Sequence, residues 1–76
     1  MASMILASAN MNITVNGQLR EIEPNSTLHH LLVTLGLAEK PVVIELNREA
    51  IFSRDYATTI VPADAVIEIV VLAAGG

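Results

Sequence analysis

Met11-Asn12-Ile13-Thr14-Val15-Asn16-Gly17-Gln18-Leu19-Arg20-Glu21-Ile22-Glu23 decides the fold class of this chain of 76 residues. Met11, Ile13 and Val15 alternate with Asn12, Thr14 and Asn16, the period-two pattern of a strand that buries one face. Asn16-Gly17 follows, two residues that tolerate the positive φ of a type I′ turn, and such a pair is the strongest short-range hairpin signal. Leu19 to Glu23 is then the return strand. An antiparallel hairpin results, with an apolar face that another element must cover.

That element comes next. Pro24-Asn25-Ser26-Thr27 breaks the sheet and brings hydroxyls suited to cap a helix, with Ser26 or Thr27 as the N-cap. Leu28, Leu31, Leu32 and Leu35 recur at i, i+3, i+4 and i+7, one stripe of an amphipathic helix that ends at Gly36. Pro41 opens a further strand, Val42 to Asn47, with Val42, Ile44 and Leu46 on one face and Val43 and Glu45 on the other. Ile51-Phe52 has the length of a brief edge strand, and Ser53 to Thr59 reads as a turn or a single helical turn before Ile60-Val61. The last run sets Ile67, Ile69 and Val71 on one face and Val66, Glu68, Val70 and Leu72 on the opposite one. So continuous an aliphatic strand is best buried at the centre of the sheet, parallel to the first. The residues thus predict an α+β domain over 11–72, a mixed four- to five-stranded sheet packed on one helix. Residues 1–10 are expected to be a disordered extension and 73–76 a flexible tail.

Composition removes several classes of function. A chain of this length forms one domain. Without cysteine there is no disulfide framework, thiolate metal site or cysteine nucleophile. Apolar residues make up 53% and charged residues 16%, the opposite of a disordered profile, and with Phe52 and Tyr56 the only aromatics the core is expected to be aliphatic. The net charge is −4, and Arg20, Lys40, Arg48 and Arg54 are scattered, whereas a nucleic-acid surface concentrates its cations. No apolar run approaches the roughly 20 residues that span a bilayer. Met4-Ile5-Leu6-Ala7 lacks the basic flank and the length of a signal peptide, so a cytoplasmic protein with no membrane or nucleic-acid partner is expected.

Side-chain chemistry is equally sparse. His29 and His30 are adjacent, hence about 100° apart on a helix, and do not face one metal ion together. Glu21, Glu23, Asp55 and Asp64 have no nucleophile or oxyanion motif beside them, and Ser53 has no nucleophile-elbow setting. No catalytic residue, metal site or bound cofactor is therefore expected. The remaining candidate is the ending Ala73-Ala74-Gly75-Gly76, with the carboxylate of Gly76 as the reactive group. Ala74 and Gly75 would give access to it, since a backbone without Cβ fits a narrow channel in another enzyme. Val43, Val66, Val70 and Leu72, on strand faces opposite the core, would form an exposed aliphatic patch of the kind that contacts partners. Arg54 is a candidate to steer the chain toward an acidic patch on such a partner.

Several of these elements occur together in one family. Asn-Gly in the first hairpin, Thr27-Leu28 opening a leucine-bearing helix, Leu35-Gly36-Leu37 closing it, Asn47 after the third strand and the final diglycine resemble the ThiS family. These are ubiquitin-like β-grasp sulfur carriers of thiazole formation in thiamine biosynthesis, and the resemblance spans residues 11 to 76. Where the family has an apolar-Val-Pro-Arg run, this chain has Ala50-Ile51-Phe52-Ser53-Arg54; where it has Asp-Gly-Asp, this chain has Pro62-Ala63-Asp64-Ala65. The resemblance implies that Gly76 is adenylated at the expense of ATP by a ubiquitin-activating-like adenylyltransferase (ThiF-like). Sulfur from a cysteine desulfurase or other donor would then make a thiocarboxylate, delivered to a thiazole synthase (ThiG-like). The carrier itself would catalyse nothing. Alternatives are the small subunit of molybdopterin synthase, typically longer and with a proline-containing stretch before its diglycine, a ubiquitin-like modifier of lysines, or a non-catalytic interaction domain.

Overall fold

Five strands and one helix form in the expected order in the computed structural model, which describes residues 10–73. Strands β1 (Met11–Val15) and β2 (Gln18–Ile22) make the first hairpin. Helix α1 (Leu28–Leu35), strands β3 (Val42–Leu46) and β4 (Glu49–Ile51), a 3-10 turn (Ser53–Asp55) and strand β5 (Val66–Val71) follow. The sheet order is β2-β1-β5-β3-β4. β5 lies at its centre, parallel to β1 (Thr14 opposite Val66, Val15 opposite Ile67) and antiparallel to β3 from Val42–Val71 to Leu46–Ile67. This is the mixed sheet gripping one helix that the sequence predicts.

Both hairpins turn on an asparagine at positive φ. In the first, Asn16 (φ 50) and Gly17 (φ 82) pair Val15 directly with Gln18, so β2 begins one residue earlier than expected. In the second, Asn47 (φ 51) and Arg48 (φ 72) place Leu46 opposite Glu49. The two asparagines then do something no turn requires. The Asn16 side chain accepts from the Ile69 N–H at 2.8 Å and donates to the Ile69 carbonyl at 3.1 Å, continuing the β1 ladder where β1 itself has ended. The Asn47 side chain accepts from the Val66 N–H at 2.8 Å, while its own N–H donates to the Val66 carbonyl at 2.8 Å. Two turns thereby clasp the central strand at separate points along its length.

The helix is set on the sheet by its leucines and by its own N-terminus. Leu28, Leu31 and Leu32 are buried against Ile13, Val15, Ile44, Ile67 and Ile69, with Leu35 partly buried at the margin. Thr27, rather than Ser26, is the N-cap: its hydroxyl accepts from the His30 N–H at 3.0 Å, whereas the Ser26 hydroxyl donates to the Glu23 carbonyl. The Leu28 and His29 N–H groups, left without helical partners by geometry, donate to the carbonyls of Thr59 and Tyr56. The segment after the 3-10 turn is thus tied to the helix end. It brings Tyr56 into the core, so the core is not purely aliphatic as the composition suggests, while Phe52 stays exposed. Val71 also departs from its expected burial: it is half-exposed, since it stands at the last position of β5, beyond the end of β1.

Two glycine substitutions should move stability in opposite directions. Asn16→Gly keeps the turn and loses both bonds to Ile69, worth about 0.5–1.5 kcal/mol each, so the melting temperature should fall by roughly 5–15 °C. Arg48→Gly relieves a left-handed non-glycine residue, worth about 1 kcal/mol, and should raise it by about 4–8 °C. Thermal unfolding followed by circular dichroism reads both, and an unchanged midpoint for Asn16→Gly would mean that the clasp contributes nothing.

Candidate functional site: the root of the tail and the outer sheet face

The candidate reactive group follows directly from the central strand. Beyond Val71 the ladder holds for one further residue, with the Leu72 N–H donating to the Pro41 carbonyl at 2.8 Å. Ala73 is exposed. Ala74, Gly75 and Gly76, singled out by the sequence, lie outside the described residues. On the β1 side the register ends at Val15–Ile67 and the Asn16 clasp reaches Ile69, so Val71, opposite Val42 in the β3 ladder, has no ladder partner on that edge. The chain therefore leaves the sheet from its centre, held on one edge and open on the other.

The helix covers one face of the sheet only. On the opposite face Val43, Val66 and Val70 are 43%, 48% and 58% exposed, and the register sets Val43 directly across from Val70. Val66 lies beside Thr14 in the parallel ladder, and Thr14 in turn faces Leu19 on β2. Leu19 is the most exposed large apolar residue described, at 73%, and extends the patch by one strand beyond the residues that sequence alone suggests. Its signal is present in the hairpin register, because Leu19 shares the parity of Glu21 rather than that of Ile22. Interspersed with these apolar side chains are the exposed Glu45 and Glu68, one opposite the other.

Other candidates are placed apart from this face. Leu72 is exposed at the tail root, and it also borders a cleft of about 440 Å³ on the helix side, with His29, Lys40 and Tyr56 among its walls. Arg54 stands on the 3-10 turn that follows β4, with its guanidinium 4.8 Å from the centroid of the Phe52 ring in a cation–π contact. His29 and His30 are both exposed on α1. Among the described residues no group of three or more His, Cys, Asp or Glu side chains is arranged to hold a metal ion, and no helix is long and apolar enough to cross a membrane. What the geometry offers is an exposed apolar sheet face beside the point where the chain leaves the central strand.

Known proteins resemble this chain both in sequence and in structure. The sequence profile of the ThiS family matches residues 13–76. A thiazole synthase from Magnetococcus marinus is 33% identical over 66 residues, which make up 87% of this chain and 20% of that protein, so the chain spans about a fifth of the length of this relative. The crystal structure of the thiamine biosynthesis protein ThiS from Geobacter metallireducens is similar at a TM-score of 0.74 and 29% identity, over 87% of this chain and 100% of that one.

The one-sided anchoring at the tail root should be visible in amide hydrogen exchange. The Leu72 N–H, bonded to Pro41, should exchange several-fold more slowly than the Val71 N–H beside it, which faces the open edge. Equal exchange of the two would show that the ladder has frayed before Leu72.

Proposed function

The chain belongs to the ThiS family of thiamine-biosynthesis sulfur carriers, and on that premise we propose that its reactive atom is the carboxylate carbon of Gly76, loaded and unloaded by other enzymes. One observation carries this: the family match runs through residue 76 and so takes in the diglycine, which follows the central strand in sequence. A carboxylate is a poor acyl donor because its oxygen leaves badly. Attack of the Gly76 carboxylate on the α-phosphate of ATP, in a ThiF-like adenylyltransferase, expels pyrophosphate and makes AMP the leaving group. The outer sulfur of a persulfide, supplied by a cysteine desulfurase or another donor, then displaces AMP to give an acyl disulfide, and a thiol attacking its other sulfur releases the thiocarboxylate and leaves a disulfide behind. The resulting terminal thiocarboxylate is a sulfur nucleophile on a tether.

The chain's own part is positioning. Ala74, Gly75 and Gly76 carry no side chain larger than methyl, so that stretch of backbone fits a channel too narrow for other residues. Val43, Val66 and Val70, extended by Leu19, supply the apolar surface on which a partner docks, with Leu72 at the root of the tail beside it, while the tail reaches the partner's active site. Such exposed patches on small proteins mark interaction surfaces. A thiazole synthase (ThiG-like) is the proposed acceptor. The Magnetococcus marinus thiazole synthase supports this, since a segment similar to this chain is part of the same polypeptide. Arg54, engaged with Phe52, is proposed to assist docking only at the periphery.

Three measurements test the assignment. Incubated with ATP, the adenylyltransferase and a sulfur donor, the protein should gain, by intact mass, the increment of one oxygen-to-sulfur exchange. Adducts on lysine would instead indicate a modifier. Deleting Gly76 retracts the carboxylate by about 3.5 Å, well beyond the roughly 1 Å misplacement that can cost 100-fold, so ATP–pyrophosphate exchange should be lost with the fold intact. The isosteric pair Val43→Thr and Val70→Thr should weaken binding to the adenylyltransferase by roughly 10-fold, about 1.4 kcal/mol, without altering the circular dichroism spectrum.

A further inference from the structure

Glu45 on β3 and Glu68 on β5 are register partners on the outer face. The ladder bonds at Asn47–Val66 and Pro41–Leu72 make theirs a hydrogen-bonded pair, with Cα atoms about 5.5 Å apart in such geometry. Both side chains are exposed and point the same way. Like charges directly opposite one another destabilise a sheet. Val43 and Val70 flank the two carboxylates on one side and Val66 flanks them on the other, so the pair lies within the aliphatic patch and not at its rim.

The chain places its own cations elsewhere. Arg54 stacks on Phe52, Lys40 borders the helix-side cleft, Arg48 occupies the β3–β4 turn, and Arg20 is opposite Ile13, on the parity of the helix-facing side. The two like charges thus face one another with no cation of the chain in register with them, and a cation supplied by another protein would relieve their repulsion.

We propose that the outer face receives a protein surface that presents an arginine between Glu45 and Glu68, with apolar side chains around it against Val43, Val66 and Val70. This rests on the docking role given to the same face above and adds the chemistry of the partner. A guanidinium is planar, offers five donors and is weakly hydrated, so it bridges two carboxylates and tolerates an aliphatic surround better than an ammonium does. Once the patch is covered and water excluded, the attraction strengthens. A partner without a cation there buries two unpaired carboxylates and is rejected, so the pair acts in specificity as well as in affinity.

The test uses the full chain and the ThiF-like adenylyltransferase as the probe. Glu45→Gln and Glu68→Gln should each raise the melting temperature at low salt by about 2–5 °C. Each should also weaken binding in calorimetry by about 10-fold and flatten its dependence on salt. Glu68→Lys, which pairs with Glu45 internally, should raise the melting temperature further and weaken binding more. If the glutamine variants bind normally while Val43→Thr/Val70→Thr binds weakly, the face docks but reads no cation, and the inference is overturned alone. If all these variants bind normally, the docking role falls and takes the inference with it. A lowered melting temperature in the glutamine variants would remove the like-charge cost from which it starts.

Discussion

Everything in this fold depends on the pairing of β5 between β1 and β3. The strand is the last in the chain and the middle one in the sheet, and its Ile67 and Ile69 are buried under the leucines of α1. Until it inserts, the two hairpins have no common neighbour within the sheet, because β1 and β3 do not touch in the sheet order. Parallel pairing to β1 spans only two register positions, Thr14–Val66 and Val15–Ile67, too few to hold a central strand by backbone bonds alone. The Asn16 side chain extends that ladder to Ile69, and Asn47 secures the other end at Val66. An asparagine amide imitates a peptide group in both donor and acceptor, so a turn residue serves as a further strand residue.

The same arrangement governs what the protein presents. The strand that precedes the C-terminal residues is paired with β1 on one side and β3 on the other, and on the β3 side the Leu72–Pro41 bond continues the ladder one residue past its end. One helix is too little to cover both faces of a five-stranded sheet, and the uncovered face is the one that β5 crosses on its way to the terminus. Exposed apolar surface and chain end are thereby joined by continuity of a single strand. A partner that grips the face at Val70 holds a backbone leading in a few residues to Gly76.

Legibility in the sequence followed the periodicity. The alternation of Met11, Ile13 and Val15, the leucine stripe and the aliphatic run at the end translate directly into β1, α1 and β5, because burial of one face demands those periods. Exposure of Val43, Val66 and Val70 follows by the same parity. The segment after β4 had no such period. Its folding is decided by Tyr56, whose ring enters the core, and by the carbonyls of Tyr56 and Thr59, which receive the first N–H groups of α1. Those partners are distant in sequence and leave no local mark. Leu19 and the facing of Glu45 with Glu68 were hidden for a related reason: each depends on which strand lies alongside, and register is a property of pairs.

The sequence by itself determined the main elements, the single apolar core and the absence of cysteine chemistry. Local backbone preference and the burial periods of helix and strand are written in neighbouring residues, so these required nothing from the rest of the chain. Only the tertiary structure decided that Asn16 and Asn47 clasp β5, that Tyr56 rather than Phe52 completes the core, and that two carboxylates stand together amid an aliphatic face. Asn16 and Ile69 are separated by 53 positions. Contacts of that range arise only when separate elements are brought together around a common core, which no stretch of neighbouring residues records.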